Sequence, residues 1–486
     1  MSDIRNLEPK LLWKYFYEIT QIPRPSKKEK KMIEYMKKFG KDHGIETLVD
    51  ETGNVILRKP ATKGMENRKG IILQGHLDMV PQKNSDKVFD FEKDPIETRV
   101  DSGWVKANGT TLGADNGIGV SAAMAALTDP KIVHGPLEAL FTIDEETGMT
   151  GANNLKKGVL KGEIMINMDS EDEGELYVGC AGGIDVEATR NYKVEKTPAG
   201  TTAYSLTIKG LRGGHSGVDI PLDRGNANKL MFRFFQQAEH DFAMRIASYT
   251  GGDLRNAIPR EGFATVLVPT IKKADFEKFV KHYEKMYRNE FKETDPEIKF
   301  FVKSCQAPDK VMNEGDQYRI IRAVYACPHG VERMSHSMSG LVETSNNLAV
   351  VKINDGKFLA FCLTRSSVDT AKEATAWKIA AIFHLIDAKV ELRGSYPGWN
   401  PDLSSPILKT MQDTYKKLYG KIPEIKAIHA GLECGIIMGS YPKLDSISFG
   451  PTIRFPHSPD EKVDIESVGK FWNFLVATLK NAPEKG

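Results

Sequence analysis

The chain has 486 residues, of which 40% are hydrophobic and 27% charged, with no low-complexity tract; that length suggests roughly two to four domains, each able to bury a core. Sixty-seven basic side chains stand against sixty-five acidic ones, a net charge of +2 that provides no global field for nucleic acid or anionic lipid. No run of about 18 apolar residues occurs to span a membrane, and charges interrupt the N-terminal segment where a secretory peptide needs an apolar stretch, so a cytoplasmic protein is expected.

From the N-terminus to about residue 186 the pattern alternates between strand and helix. Amphipathic spacing predicts helices over Pro9–Ile19 and from Lys28 to His43, and the basic cluster Lys27–Lys31 reads as a solvated helix face. The apolar run 70–74, stopped by Gly75, predicts a strand buried on both faces, and 137–143 and 164–168 predict two more. Between them 117–127 is rich in Ala and small residues, as in a helix packed closely on a sheet. This order argues for an α/β domain with a mostly parallel sheet.

Beyond residue 186 the strands alternate on two sides. Strands are expected near 204–209, 243–248, 263–268, 298–302, 349–353, 358–363 and 389–392, with helices near 226–239, 274–287, 317–326 and 371–385. We read 187–395 as an inserted α+β domain of two related halves, its sheet covered by helices on one face. The Gly/Pro-rich stretch 394–401 then leads back to the first domain, which comprises 1–186 and 396–486. A helix over Pro406–Leu418, a strand near Ile425–Ile428 and a last helix capped by Asp464 complete it. Five widely spaced cysteines without a C-x-x-C pair read as buried, reduced thiols.

Polar residues follow the buried strands. His76-Leu77-Asp78 comes after the first, and Asp78 is placed to touch His76 or to brace a neighbouring ligand. Asp115 sits in the glycine-rich bend 112–119 that opens a helix, as a metal ligand, a helix cap, or both. Asp144-Glu145-Glu146 follows the second strand; on an extended backbone Glu145 and Glu146 face opposite ways, one to metal and one to substrate. Asp169 follows the third strand, and His457 lies in the Pro-bounded loop before the last helix. Each signal alone also fits an ordinary acidic turn or an incidental histidine. Together, His76, Asp115, Glu146, Asp169 and His457 suit two divalent ions that share a ligand and leave a position open for water. A further histidine, His215, is flanked by glycines in the second domain and is placed to reach a substrate oxygen.

The strings Gly75-His76-Leu77-Asp78-Met79-Val80, Gly113-Ala114-Asp115-Asn116-Gly117, Asp144-Glu145-Glu146-Thr147-Gly148, Gly214-His215-Ser216-Gly217 and His429-Ala430-Gly431-Leu432-Glu433-Cys434-Gly435 resemble the co-catalytic zinc peptidases that include carboxypeptidase G, aminoacylase and carnosinase. They are most similar to the bacterial aminoacyl-histidine dipeptidase branch, over essentially the whole chain. The resemblance implies two Zn2+ per chain, with Mn2+ or Co2+ as substitutes. It implies that Asp115 bridges the ions, with His76 and Asp169 on one, and Glu146 and His457 on the other. Glu145 would be general base and acid, Asp78 would stand behind His76, and His215, from a lid domain, would stabilise the oxyanion. Arg365 and Asn256 would be further lid contacts to substrate.

The expected activity is hydrolysis of Xaa-His, carnosine-like dipeptides. The ligand set equally suits a deacylase acting on N-acyl amino acids, and a non-catalytic binding protein on the same fold is a third reading, opposed by the intact ligand and base residues. A homodimer through the lid is one expectation for assembly, and a two-half lid that supplies both sides within one chain is the other.

Overall fold

A computed structural model describes residues 3–486, which divide into two units. The first comprises residues up to Gly179, Pro401–Ala427 and Leu432–Gly486; the second comprises Cys180–Asn400 with Ile428–Gly431.

In the first unit, the predicted apolar runs form adjacent strands. Its elements are α1 (Lys10–Thr20), β1 (Glu46–Val49), β2 (Val55–Lys59), β3 (Ile71–His76), α2 (Ala114–Thr128), β4 (Leu137–Thr142), β5 (Ile164–Asn167), β6 (Glu175–Cys180), β7 (Glu424–Ile428), α3 (Glu433–Ser440), β8 (Asp445–Ser448) and α4 (Ile465–Lys480). The sheet order is β1-β2-β4-β3-β5-β8-β6-β7. The central run β4-β3-β5-β8 is parallel; β2 pairs with β4, and β6 with β8, in antiparallel fashion. Every residue of β3, β4 and β5 is buried, as expected for strands covered on both faces. The small residues of α2, from Gly117 to Ala126, are buried and let that helix lie close to α1 and β3. Asp464 caps α4, its carboxylate accepting the Ser467 N–H at 2.7 Å.

The second unit carries a separate antiparallel sheet. Along its main path the strands are, in order, Lys299–Ser304, Thr201–Lys209, Gly262–Pro269, Arg245–Gly251, Val342–Asn354, Lys357–Ser366, Gly182–Asn191 and Lys389–Tyr396, and Gly330–Met334 pairs with Val342–Asn354 off that path. Helices Ala227–Phe242, Lys273–Glu290, Glu314–Ala326 and Asp369–His384 share one core with it, built around Phe234, Phe276, Tyr287, Ile320 and Phe383. The division at Cys180 and Asn400 differs from the expected 187 and 395 because the flanking strands are longer than their sequence pattern. Gly182 already pairs with Ser366, and the last strand runs on to Tyr396. Residues 428–431 join this unit through bonds from the Ala181 N–H to the carbonyls of Ile428 and Ala430.

Four of the five cysteines are buried; Cys305 is exposed, a departure from the expected burial that follows from its place just past the end of an edge strand. No helix among the described residues is long and apolar enough to cross a membrane.

Candidate metal centre

Parallel register aligns the carboxyl ends of three strands. His76 of β3 pairs with Thr142 of β4, and Gln74 with Asn167 of β5, so the residues that follow each strand leave from one edge. Asp115 arrives there on the bend before the regular part of α2, and His457 on the loop before α4. The Asp115 carboxylate lies between the two histidines: its Oδ1 is 3.1 Å from His76 Nε2 and its Oδ2 is 3.2 Å from His457 Nε2. Asp169 Oδ1 is 3.3 Å from His76 Nε2, and Glu146 Oε2 is 2.9 Å from His457 Nε2. All five anticipated ligands therefore converge. Asp115 itself has non-helical backbone angles (φ −79°, ψ 113°), and both its oxygens face histidines, so the helix-cap alternative is not realised.

Asp78 braces this arrangement twice. Its Oδ1 lies 3.4 Å from His76 Nδ1 and accepts the Glu145 N–H at 3.0 Å, while its Oδ2 accepts the Ser26 hydroxyl at 2.8 Å and the Glu146 N–H at 3.3 Å. Residues 144–146 are not extended as expected. Asp144 takes a left-handed conformation (φ 52°) and a short helical turn, Glu145–Gly148, follows. The turn is wound by Asp78 taking two successive N–H groups and by Asp144 taking the Thr147 and Thr150 hydroxyls. Asn116 donates to Asp169 Oδ1 at 2.6 Å and to the Met168 carbonyl at 2.6 Å. Gly75 has no side chain because a Cβ there would sit 2.2 Å from Asn116 Oδ1.

The donor set fits a cation pair. Burial and the neighbouring acids raise Asp169 to about 6 and Glu171 to about 8, and push Glu145 well above the usual carboxylate range. Asp115 and Glu146 push His457 up to about 11; His76 rises well above its ordinary value although burial opposes its charge. A cluster of acids that draws positive charge onto two imidazoles is chemically suited to divalent ions. Burial opposes the charge of Asp78 too, but His76, the Glu145 N–H and Ser26 hold it at about 2.

Three buried residues beneath the centre escaped the sequence reading. Glu433 accepts from Gln74 Nε2 and Thr142 Oγ1, each at 2.6 Å, and Gln74 Oε1 in turn accepts from Asn167 Nδ2 at 2.5 Å. One carboxylate on α3 thereby ties together the ends of the three ligand-bearing strands. Burial raises it to about 7. Glu433 lies within a quoted motif string, which was the signal available. Glu461 and Arg24 hold the Asp115 loop; neither belongs to any periodic pattern.

In the second unit His215, Arg365 and Asn256 come together. His215 lies on a two-residue strand paired with Ala257–Ile258. Its Nδ1 accepts from the Gly217 and Val218 N–H groups at 3.2 and 3.1 Å, which leaves Nε2 as the protonated nitrogen of a neutral ring. Burial and then the Arg365 charge lower its pKa, which favours that neutral form. Arg365 is buried, with Nη2 3.5 Å from His215 Nε2, Nε bonded to Ser216 Oγ at 3.2 Å and Nη1 to Tyr396 OH at 3.0 Å. Asn256 is exposed beside them, its carbonyl accepting the Ser216 N–H at 2.8 Å. His429 is buried in the same unit, bonded through Nε2 to Ser345 Oγ at 2.7 Å.

A cytosol non-specific dipeptidase from Escherichia coli (strain K12) is 46% identical over 485 residues, covering 100% of both chains. The crystal structure of an aminoacylhistidine dipeptidase from Vibrio alginolyticus superposes with a TM-score of 0.95 at 46% identity, covering 100% of this chain and 99% of that one. An aminopeptidase from Bacillus cereus shares the fold, with a TM-score of 0.57 at 17% identity over 98% of this chain and 99% of that one. Residues 72–481 match the sequence profile of peptidase family M20/M25/M40, and the chain belongs to that family.

Proposed function

We propose that the chain is a cytosolic dipeptidase that cleaves Xaa-His and related dipeptides at a two-metal centre. The observation that carries this reading is the Asp115 carboxylate, which offers one oxygen beside His76 and the other beside His457. In this reading Asp115 would be shared between two Zn2+ ions, His76 and Asp169 would hold one and Glu146 and His457 the other; Mn2+ or Co2+ would suit the same mixed N/O donors. When bound, such a pair acidifies a water molecule and polarises the scissile carbonyl. The names of the two 46%-identical relatives support dipeptides as the substrate class.

Glu145 is the general base. Burial and its acidic neighbours raise its proton affinity, so it can take the proton of the attacking water and return it to the leaving amine. Asp78 holds the Glu145 and Glu146 backbone and orients His76. His215, with its Nε2–H free to donate, serves the oxyanion, and Arg365 and Asn256 contact the remainder of the substrate.

The test uses purified protein stripped by a chelator and reloaded separately with zinc, manganese or cobalt. Each form is offered Ala-His, β-Ala-His, Gly-Gly and an N-acetyl amino acid. Hydrolysis of the dipeptides, lost on stripping and restored by metal, is expected. Cleavage confined to the acetyl compound would replace the reading with a deacylase, and inertness towards all four would leave a binding protein.

A further inference from the structure

Glu461 lies four residues beyond His457 in the same loop, and it is 2% exposed. Its two oxygens collect four successive backbone amides: Oε2 accepts from Leu112 N at 2.7 Å and Gly113 N at 2.9 Å, and Oε1 from Ala114 N at 2.7 Å and Asp115 N at 3.3 Å. Consecutive N–H groups turned the same way form a concave anion site of the kind that often takes phosphate. Here an internal carboxylate fills it. Arg24, also 2% exposed, holds the same segment by a carbonyl: its Nη2 donates to Gly113 O at 2.5 Å, while its Nη1 donates to Leu77 O at 3.0 Å and Asp78 O at 2.7 Å. Gly113 has φ 70°, and a Cβ there would stand 2.5 Å from Arg24 Nη2, so glycine is needed for both the turn and the clamp.

We infer that Glu461, assisted by Arg24, is a positioning residue that presets the bridging carboxylate of Asp115 relative to His457. One loop delivers a ligand and, four residues later, the anion that fixes the backbone of the ligand opposite it. A buried polar group left unsatisfied costs about 1–3 kcal/mol, so a loop deprived of Glu461 would re-aim its amides, and Asp115 would move with them. Arg24 couples this loop to 77–78, immediately after the ligand His76. Neither residue is a metal ligand or touches reacting atoms; their effect passes through Asp115 and the His76 loop. The inference rests on the two-metal reading above.

Glu461→Gln keeps the size of the side chain but replaces an acceptor oxygen by an NH2 group facing two amide donors. Zinc affinity is measured by competition with a chromophoric chelator, alongside thermal unfolding of the stripped and zinc-loaded protein and Ala-His kinetics at saturating zinc. Zinc binding is expected to weaken by about 10–100-fold. The zinc-induced rise in Tm should shrink, and kcat should fall with KM little changed. Glu461→Asp, which retains both oxygens, should recover part of each loss. A lower Tm for the stripped protein, with zinc affinity and the zinc-induced rise both as in wild type, would make Glu461 a purely structural residue and overturn the inference. Should Glu461→Gln not fold, Arg24→Lys carries the test: it keeps the charge and loses the fork, and wild-type zinc affinity in that variant overturns the inference. If neither variant folds, the two residues are elements of the fold and the inference fails. Failure of the wild-type protein to take up two zinc ions would instead bring down the underlying reading.

Discussion

The Asp78 carboxylate accepts the backbone N–H of Glu145 at 3.0 Å, so the acid beside one histidine ligand also sets the pose of the proposed base. The bond links the end of β3 to the turn after β4, and under the proposed function it would tie metal binding to proton transfer. Asp78→Asn preserves the shape but loses one acceptor oxygen. Activity at saturating metal should fall by about 10–100-fold, in line with other residues that orient metal ligands. Steady-state kinetics with Ala-His check this, and wild-type kcat/KM in the variant would rule out the coupling.

Glu145→Ala should abolish measurable turnover while zinc binding stays close to wild type, because Glu145 is absent from the five-ligand set. General acid–base groups typically contribute about 100–10,000-fold. Retention of normal hydrolysis would remove Glu145 from the proton pathway. Loss of zinc together with activity would make it a ligand.

His215→Ala should lower kcat by about 100–1,000-fold, the usual consequence of losing one oxyanion donor. Zinc affinity, measured separately, should not move. A rise in KM with kcat intact would instead mark His215 as a ground-state binding residue.

His429 makes a prediction about pH. Burial, reinforced by the charge of Arg365, lowers its pKa from 6.5 to about 3. The unfolded chain therefore binds a proton that the folded chain resists between those two values. Stability from this group is fully present above pH 6.5 and is lost as the pH falls toward 3. Melting curves of stripped wild-type protein and His429→Gln should converge as the pH drops through that window. A gap that stays constant would show that His429 does not titrate on unfolding.

What could be read from residue order was the location of the chemistry. A strand buried on both faces leaves a mostly apolar run, and the residues just past 70–74, 137–143 and 164–168 mark the edge where the candidate ligands gather. His457 and His215 were singled out from their own loops, the one bounded by prolines and the other flanked by glycines. The pattern also anticipated an inserted α+β segment, because its strands alternate where those of the first unit do not.

Tertiary structure alone decided the rest. Asp115 and His457 are 342 positions apart, and no local periodicity records that their side chains meet. The turn at 144–146 depends on two oxygens of Asp78, so an extended reading of those residues could not foresee it. Glu461, Glu433 and Arg24 act through backbone and buried polar groups supplied by distant segments. Side chains whose partners are amides and carbonyls elsewhere in the fold have no characteristic neighbours in sequence, and they become visible only when the chain closes around them.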